Sequence, residues 1–454
     1  MATNPPTTSE FRRLLSIALP SVLLQIFLLL IWTESAIACS RMLGTAALAA
    51  FSLGNLSGNV TGFAVIIRIL SASDTLSPRA VGAQRYAEVG NLAVRGTFYC
   101  HLVLFPLVFL WWKIEGPLIS LGQPEDTAHK AAGWLRWYLF SLPPLVLFNV
   151  MQRVLNAQEI VMPLVYISAL TSLVVHPLLL YFLVGQFGLN GSAMAFILTN
   201  WIQFGTAMLF VKVRGAVHPK TFERSVHLAW VTDCSSPSRR AIFNKRDMVE
   251  FLLLGVGGLM SMSEWIFWEI VCFTVGRFGV TPLATHTVAY NLIPLCFMVP
   301  LGIAIGVGVR IGHLMSLGDG RKARRMVLST LFTSMTISAI YSGLIYYLRG
   351  PIVRLFTDDK EVMDGCEEIW GMVSIFIFLD GLFAIQQGVM KALGMQLVMA
   401  GCVFLCCWVS GLGVIFWKVS NGGDLGMIWS TLPIVYIFLN SVSLCACHGV
   451  GQAS

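Results

Sequence analysis

Long runs of apolar residues recur along the whole chain and are separated by short polar segments. Each run can form a helix that crosses the roughly 30 Å hydrocarbon layer of a bilayer. Backbone groups inside that layer must be satisfied within the segment, so each run is predicted to be helical. The pattern predicts twelve membrane-spanning helices, at residues 14–35, 46–71, 91–112, 132–156, 162–184, 188–211, 248–276, 282–306, 326–348, 366–390, 396–417 and 425–447.

The composition agrees with a protein whose main environment is the lipid bilayer. Of the 454 residues, 56% are hydrophobic and only 12% are charged. A soluble globular protein carries about 25% charged residues. The segments between the apolar runs are too short to hold a separate soluble domain. We therefore expect an all-α, multi-pass integral membrane protein.

The charged residues predict the orientation of the chain. Half of the 30 Lys and Arg residues fall near 79–85, 212–246 and 310–325, while the stretch 357–368 is mainly acidic. Cytoplasmic loops of membrane proteins are enriched in basic residues, so both termini are predicted to be cytosolic. This bias explains the net charge of +7, which gives no indication of nucleic-acid binding.

The second half of the chain repeats the first. The segment "GPLISLGQPE" at residue 116 resembles "GPIVRLFTDD" at residue 350, and Gly188 and Gly191 correspond to Gly423 and Gly426. These matches share an offset of 234 or 235 residues, which indicates an internal repeat. We predict two pseudo-symmetric six-helix bundles, at residues 1–215 and 247–454, joined by a cytosolic connecting loop at 216–246.

Three acidic residues lie inside predicted spans. Glu264 and Glu269 occur in "SEWIFWEI", and Asp380 occurs in "FIFLDGLF". A charged carboxylate at the centre of a bilayer costs roughly 2.5–3.5 kcal/mol on insertion scales. Removal from water favours the neutral acid, so such a group can bind and release a proton near neutral pH. We expect these three acids to couple transport to protons; the alternative is a hydrogen-bonded structural role for each.

The spacing of the two glutamates predicts different surroundings for them. Five residues correspond to about 140° around a helix and about 7.5 Å along it, so the two acids cannot share one face. Trp268 and Tyr290 lie beside the acids and could present π faces to a flat cation, although packing alone would also account for them. Asn59 is either a substrate contact or a hydrogen-bonding residue between helices.

Several segments resemble the MATE (multidrug and toxic compound extrusion) transporters, especially the eukaryotic ones. They are "NVTG", "SASDTL" and "GAQ" around helix 2, "RVLNAQEIVMP", "EWIFWEI" and "MVPLGIAIGVGVRIGHLMSLGDGRKARR". The likeness runs in order from about residue 14 to residue 440. It implies a MATE fold with two bundles, and export of organic compounds in exchange for H⁺ or Na⁺.

The resemblance also bears on individual residues. Glu264 and Glu269 match the acids of the family segment "EWW-x-FE", and Asp380 matches an acid in helix 10. The chain departs from the family at Asn291, where many animal relatives carry a glutamate. Because Asn cannot titrate, a preference for strongly cationic substrates is not expected to follow from this position.

We therefore expect a monomeric, proton-coupled antiporter that exports amphipathic organic compounds by alternating access. No cofactor or metal is expected, and Na⁺ is the alternative coupling ion. One rival is a lipid-linked oligosaccharide flippase, which would need a strongly cationic cavity that the acids argue against. A second rival is an integral-membrane enzyme, for which "TDDKE" at 357 is the nearest match to a metal-binding motif. The sequence does not distinguish the plasma membrane from the vacuolar membrane.

Overall fold

The fold is helical throughout the part of the chain that the computed structural model describes, which comprises residues 7–222, 242–357 and 359–453, and that part contains no strand. Twelve helices are long and apolar enough to cross a membrane. We label them α1 to α12: Arg12–Leu43, Thr45–Gly82, Tyr86–Trp112, Glu125–Ala157, Met162–Phe187, Leu189–Arg214, Lys245–Phe278, Thr281–Ser316, Gly320–Tyr347, Lys360–Ala392, Gln396–Ser420 and Leu425–Ala446. The twelve predicted spans are confirmed.

Some helices are longer than their apolar runs predict. Helix α2 continues to Gly82 and helix α8 to Ser316, whereas the runs end near residues 71 and 306. The additional turns carry polar residues, as in "SASDTLSPRAVG". An apolar run defines the part of a helix that can lie in lipid, whereas the backbone hydrogen bonds continue as long as the local sequence permits.

Several helices contain irregular turns. Five-residue π segments occur in α2 at Asn59–Phe63 and in α5 at Thr171–Val175, and a longer one occurs in α11 at Phe404–Leu412. Helix α7 is interrupted between the segments Lys245–Met260 and Ser263–Val275. Such turns rotate the following residues to a new face, and π segments are frequent at functional sites.

The predicted repeat is present in the helix boundaries. Tyr86 and Gly320, which begin α3 and α9, are 234 residues apart, as are Met162 and Gln396, which begin α5 and α11. Each half also contains a short connecting helix at the same place, Glu115–Ser120 and Arg349–Phe356. The two halves of the chain therefore follow one order of elements.

Unusual backbone conformations repeat at the same offset. Gly44 (φ 88°, ψ −179°) precedes α2, and Gly279 (φ 111°, ψ −173°) precedes α8 by two residues. These angles are open to glycine and disfavoured for residues with a Cβ atom. Further residues with positive φ are paired in the same way: Gln84 with Gly318, Glu159 with Gly394, and Gly188 with Gly422.

The chain divides into two compact units, Leu23–Val256 and Met1–Val22 with Gly257–Ser454. We call them the N-terminal unit and the C-terminal unit. Both boundaries lie inside helices, α1 and α7. The predicted bundle limits at residues 215 and 247 stay a prediction, and residues 223–241 of the predicted connecting loop lie outside the described residues.

The N-terminal unit is built around aromatic side chains. Trp134 and Tyr138 of α4 stack with ring centroids 4.9 Å apart, and Phe196 of α6 packs edge-on against both. Trp32 of α1 contacts Phe196 at 4.4 Å. Gly54 of α2 allows close approach, because a Cβ atom there would lie 2.9 Å from the Trp134 ring.

The C-terminal unit is built around α10, which is buried along most of its length. Phe376 of α10 lies 4.6 Å from the ring of Tyr436 and 4.9 Å from that of Trp268. Helices α8 and α10 approach so closely that a Cβ atom on Gly388 would lie 2.5 Å from the Ala304 oxygen. Asp380 is carried by this tightly packed central helix.

Candidate functional site

Glu264 is held by two hydrogen-bond donors from other helices of the C-terminal unit. Its side chain is 7% exposed. The hydroxyl of Tyr436 in α12 donates to Oε1 at 2.8 Å, and Nε2 of Gln387 in α10 donates to Oε2 at 3.1 Å. Each carboxylate oxygen therefore accepts a hydrogen bond at a fixed position in the core.

Tyr436, which donates to Glu264, itself accepts a hydrogen bond from Trp268. Trp268 Nε1 donates to the Tyr436 hydroxyl at 3.3 Å, one turn along α7 from the glutamate. The indole, the phenol and the carboxylate form a chain of hydrogen bonds in which each donor points towards Glu264. An ionised carboxylate only accepts hydrogen bonds, so this arrangement suits the deprotonated form of the acid.

The interruption of α7 determines where Glu264 lies. The turn at Ser261 and Met262 places the glutamate in the first turn of the second helical segment. The Ser261 hydroxyl donates to the Gly258 carbonyl at 2.6 Å, and Trp408 Nε1 donates to the Ser263 carbonyl at 3.0 Å. Trp408 lies in the π segment of α11. Two irregular turns on neighbouring helices thus meet beside the acid.

Asp380 differs from Glu264 in having no hydrogen bond within the described part of the chain, where no Lys or Arg forms an ion pair with it either. Its side chain is 7% exposed. It interacts electrostatically with Glu264, and Tyr436, Tyr341 and Cys296 also lie within electrostatic range of it. The two acids therefore form one pair with like charges when both are ionised.

Glu269 accepts its hydrogen bond from a different residue than Glu264 does, as the spacing of the two acids along the helix predicted. The hydroxyl of Tyr290 in α8 donates to Glu269 Oε1 at 3.0 Å. Both side chains are half-buried. The Tyr290 ring also lies 6.3 Å from Trp268, which joins the surroundings of Glu269 to those of Glu264.

Asn291 and Asn59 were also predicted as site residues, but neither is hydrogen-bonded to the acids described above. Asn291 is exposed on α8, and its side chain makes no hydrogen bond to a described residue. Asn59 is half-buried and begins the π segment of α2 in the N-terminal unit. The remaining five predicted site residues all belong to the C-terminal unit.

Reasoning from the sequence missed both donors to Glu264. Tyr436 and Gln387 follow it by 172 and 123 residues. The only local sign was a Gln within the apolar stretch of α10, because a polar side chain there needs a partner. Tyr436 gave no such sign, since tyrosine is common in apolar helices.

Comparison with known proteins assigns the family. The family model named MatE matches residues 17–182 and 258–417, which together make up well over half of the chain. The chain belongs to the MatE family. The two matched regions include most of α1 to α5 and most of α7 to α11.

Curated relatives include eukaryotic members of this family. The chain is 26% identical over 434 residues to human multidrug and toxin extrusion protein 1, covering 94% of this chain and 73% of that protein. It is 28% identical over 400 residues to Arabidopsis thaliana DETOXIFICATION 1, covering 86% and 79%. An uncharacterized transporter of Schizosaccharomyces pombe is 28% identical over 359 residues, covering 78% of this chain. The chain spans 64% of the length of that transporter.

Solved structures share the fold. The eukaryotic MATE transporter AtDTX14 superposes with a TM-score of 0.85 at 21% identity, covering 98% of this chain and 96% of that one. The Vibrio cholerae MATE transporter VcmN in its bent form gives a TM-score of 0.81 at 17% identity, with 98% of each chain covered. The MATE fold predicted from the sequence is confirmed. Because the relatives of this MatE protein are transporters, the interpretation as an enzyme loses its support.

Proposed function

We propose that this MatE protein is a proton-coupled antiporter that exports amphipathic organic compounds by alternating access. The substrates would be organic cations, xenobiotics or secondary metabolites. The observation that carries the proposal is the buried pair formed by Glu264 and Asp380 in the C-terminal unit. A membrane-buried ionisable residue is a candidate for a proton or ion pathway.

The surroundings of the pair support proton binding. Two donors hold Glu264 in a form that suits the carboxylate, while Asp380 has no hydrogen bond to a described residue. Electrostatic repulsion between the two carboxylates favours a state in which one of the two acids carries a proton. The pair would take up and release this proton during transport.

Coupling follows if substrate and proton compete for the pair. In the state open to the outside, protonation removes negative charge and weakens the binding of an organic cation. In the state open to the cytosol, loss of the proton restores that charge and with it the affinity. A ligand shifts such an equilibrium only through its different affinities for the two states.

Glu269 would act as a third proton-coupling acid, whereas Tyr290 and Trp268, which lie beside the acids, would bind the organic part of the substrate. Their aromatic faces attract flat cations. Asn291 is exposed on the same helix as Tyr290 and offers a neutral amide to a substrate. Asn59 is proposed as a further substrate contact. We propose substrates that are amphipathic without a requirement for strong positive charge.

The same proposal places the monomeric protein in the plasma membrane or the vacuolar membrane with both termini in the cytosol. The basic residues near 79–85, 212–246 and 310–325 support this orientation. The coupling ion is H⁺, and no other cofactor is required. The buried acids favour export of organic compounds over the flippase alternative.

The proposal is tested by measuring the accumulation of organic dyes in proteoliposomes that contain the purified protein. The vesicles carry an imposed pH gradient, contain no Na⁺, and are offered a panel of cationic, zwitterionic and neutral amphipathic dyes. We expect accumulation that follows the pH gradient and collapses when a protonophore is added. Transport that requires Na⁺ at every pH would contradict proton coupling, and transport of lipid-linked oligosaccharide alone would favour the flippase.

A further inference from the structure

A buried histidine in the C-terminal unit has no use in the mechanism described so far. His286 lies on α8 and is fully buried, with 0% of its surface exposed. Neither Nδ1 nor Nε2 has a hydrogen-bond partner among the described residues. Buried polar groups in proteins are almost always hydrogen-bonded, so two unpartnered nitrogens on one buried ring require a physical explanation.

A second unpartnered group lies against the same ring. Trp429 of α12 is also fully buried, and its Nε1 has no partner among the described residues. The rings of Trp429 and His286 have centroids 5.6 Å apart with an interplanar angle of 47°. A neutral imidazole offers one donor and one acceptor, and the indole offers one donor. These three polar groups lie together, and a buried water molecule typically binds to such a set of two to four polar partners.

This polar site lies close to Glu269. His286 and Tyr290 are four residues apart, on one face of α8. Their rings are 6.0 Å apart and nearly parallel, and the Tyr290 hydroxyl donates to Glu269 Oε1. Four residues correspond to about 6 Å along a helix, so His286 lies between the Tyr290–Glu269 pair and the turn that joins α7 to α8.

Several titratable groups lie near His286, on α8 itself or on the helices that pack against α8. They are Tyr290 on α8, Glu269 and Cys272 on α7, Glu361 and Cys366 on α10, and Tyr436 on α12. No Lys or Arg forms an ion pair with one of these groups in the described part of the chain. Glu269 is the acid among them whose carboxylate is tied to the ring stacked on His286.

We propose that His286 carries protons between the α7–α8 turn and Glu269, with water held by His286 and Trp429. The step is balanced as follows. A hydronium ion gives its proton to one ring nitrogen, which leaves water and an imidazolium. The proton on the other ring nitrogen then passes through water to the Glu269 carboxylate, which leaves a neutral imidazole and a carboxylic acid. One proton has moved, and no bond between heavy atoms has changed.

The inference rests on the proposed proton coupling and adds to it a role for one residue. The test compares His286→Gln with the wild type in the proteoliposome assay, because Gln keeps a donor and an acceptor but cannot exchange one ring proton for another. His176→Gln is the matched control. His176 is equally buried in the N-terminal unit, but its ring nitrogens are hydrogen-bonded to Ser35 at 2.9 Å and Thr199 at 2.8 Å.

We expect His286→Gln to lower the maximal rate of pH-driven efflux by about tenfold or more, as for loss of a positioned proton-transfer group. The KM and the affinity for substrate should be unchanged, and the rate should become less dependent on pH. The control variant at equal abundance in the vesicles should keep the pH profile of the wild type. A wild-type rate and pH profile in His286→Gln would overturn the proposal.

If His286→Gln does not fold or does not bind substrate, a second variant tests the same proton-transfer path. Trp429→Phe removes the indole N–H and keeps an aromatic ring. A slower pH-driven rate with retained binding supports the proposal, and a wild-type rate overturns it. Failure of the proposed function is recognised separately, because the wild-type protein itself would then show no response to the pH gradient.

Discussion

Replacing Glu264 by glutamine tests the coupling pair while keeping the shape of the side chain. The new amide oxygen can still accept from Tyr436, as Oε1 does at 2.8 Å. The amide of Gln387, which now donates at 3.1 Å, can rotate to present its oxygen to the new NH₂ group. Because hydrogen bonds are exchanged and a buried charge is removed, we expect the free energy of unfolding to change by about 1 kcal/mol or less.

The effect on transport should be far larger than the effect on folding. A difference of one pH unit is worth about 1.4 kcal/mol per proton, which drives at most a tenfold concentration ratio of substrate for each coupled proton. Without a titratable group at residue 264, the pair cannot exchange its proton. We therefore expect Glu264→Gln to reduce the accumulation ratio in a gradient of one unit from about tenfold towards equality.

The assay is dye accumulation in proteoliposomes at equal protein content, with the dissociation constant for substrate measured in parallel. Thermal unfolding in detergent serves as the control for folding. Retained binding with lost accumulation would support the role of Glu264 in coupling. Full pH-driven accumulation in Glu264→Gln would refute the reasoning and leave this acid with only a structural role.

Four further predictions follow from the C-terminal unit. Asp380→Asn should also abolish pH-driven accumulation, and it should not destabilise the fold, because this carboxyl has no hydrogen bond to a described residue. Glu269→Gln should have a milder effect on the final accumulation ratio, because the Glu264–Asp380 pair still exchanges its proton, while the initial rate should fall as in His286→Gln. Tyr436→Phe should destabilise the protein by about 1–3 kcal/mol in thermal or chemical unfolding, since it leaves the buried Trp268 N–H without its acceptor and removes one of the donors to the Glu264 carboxylate. Gly388→Ala should destabilise it by about 1–3 kcal/mol, because the added methyl group would meet a backbone oxygen of α8; Gly401→Ala, which has open space around it, is the control.

Each of these predictions has an outcome that contradicts it. Wild-type accumulation in Asp380→Asn would show that one acid suffices for coupling. A larger loss in Glu269→Gln than in Glu264→Gln would reverse the assigned roles. Unchanged unfolding of Tyr436→Phe would mean that its hydroxyl is replaced by other partners, and equal unfolding of the two glycine variants would mean that α8 and α10 are less tightly packed than the structure indicates.

The amino-acid sequence by itself determined the twelve helices and their repeat. The length of an apolar run decides whether a helix can cross a bilayer. Because this length is a property of one segment of the sequence, the apolar parts of the spans were predictable to within a few residues. The repeat was also readable, because glycines recur at positions that require them: Gly188 has a positive φ of 58°, and a Cβ atom on Gly423 would lie 2.8 Å from the Lys418 oxygen. The acids Glu264, Glu269 and Asp380 stood out because an ionisable group in lipid is costly without a partner or a function.

Only the tertiary structure decided what surrounds those acids. The spacing along α7 predicted that Glu264 and Glu269 face different neighbours, but it could not name Tyr436, Gln387 or Tyr290 as the donors. These residues come from other helices, and their approach depends on irregular turns that no apolar pattern encodes. The two unpartnered nitrogens of His286 and the ring of Trp429 beside it are likewise a property of the packed helices α8 and α12. A hydrogen bond joins two particular atoms across the core, so it is determined by the folded arrangement of all the helices and not by the residues on either side of it.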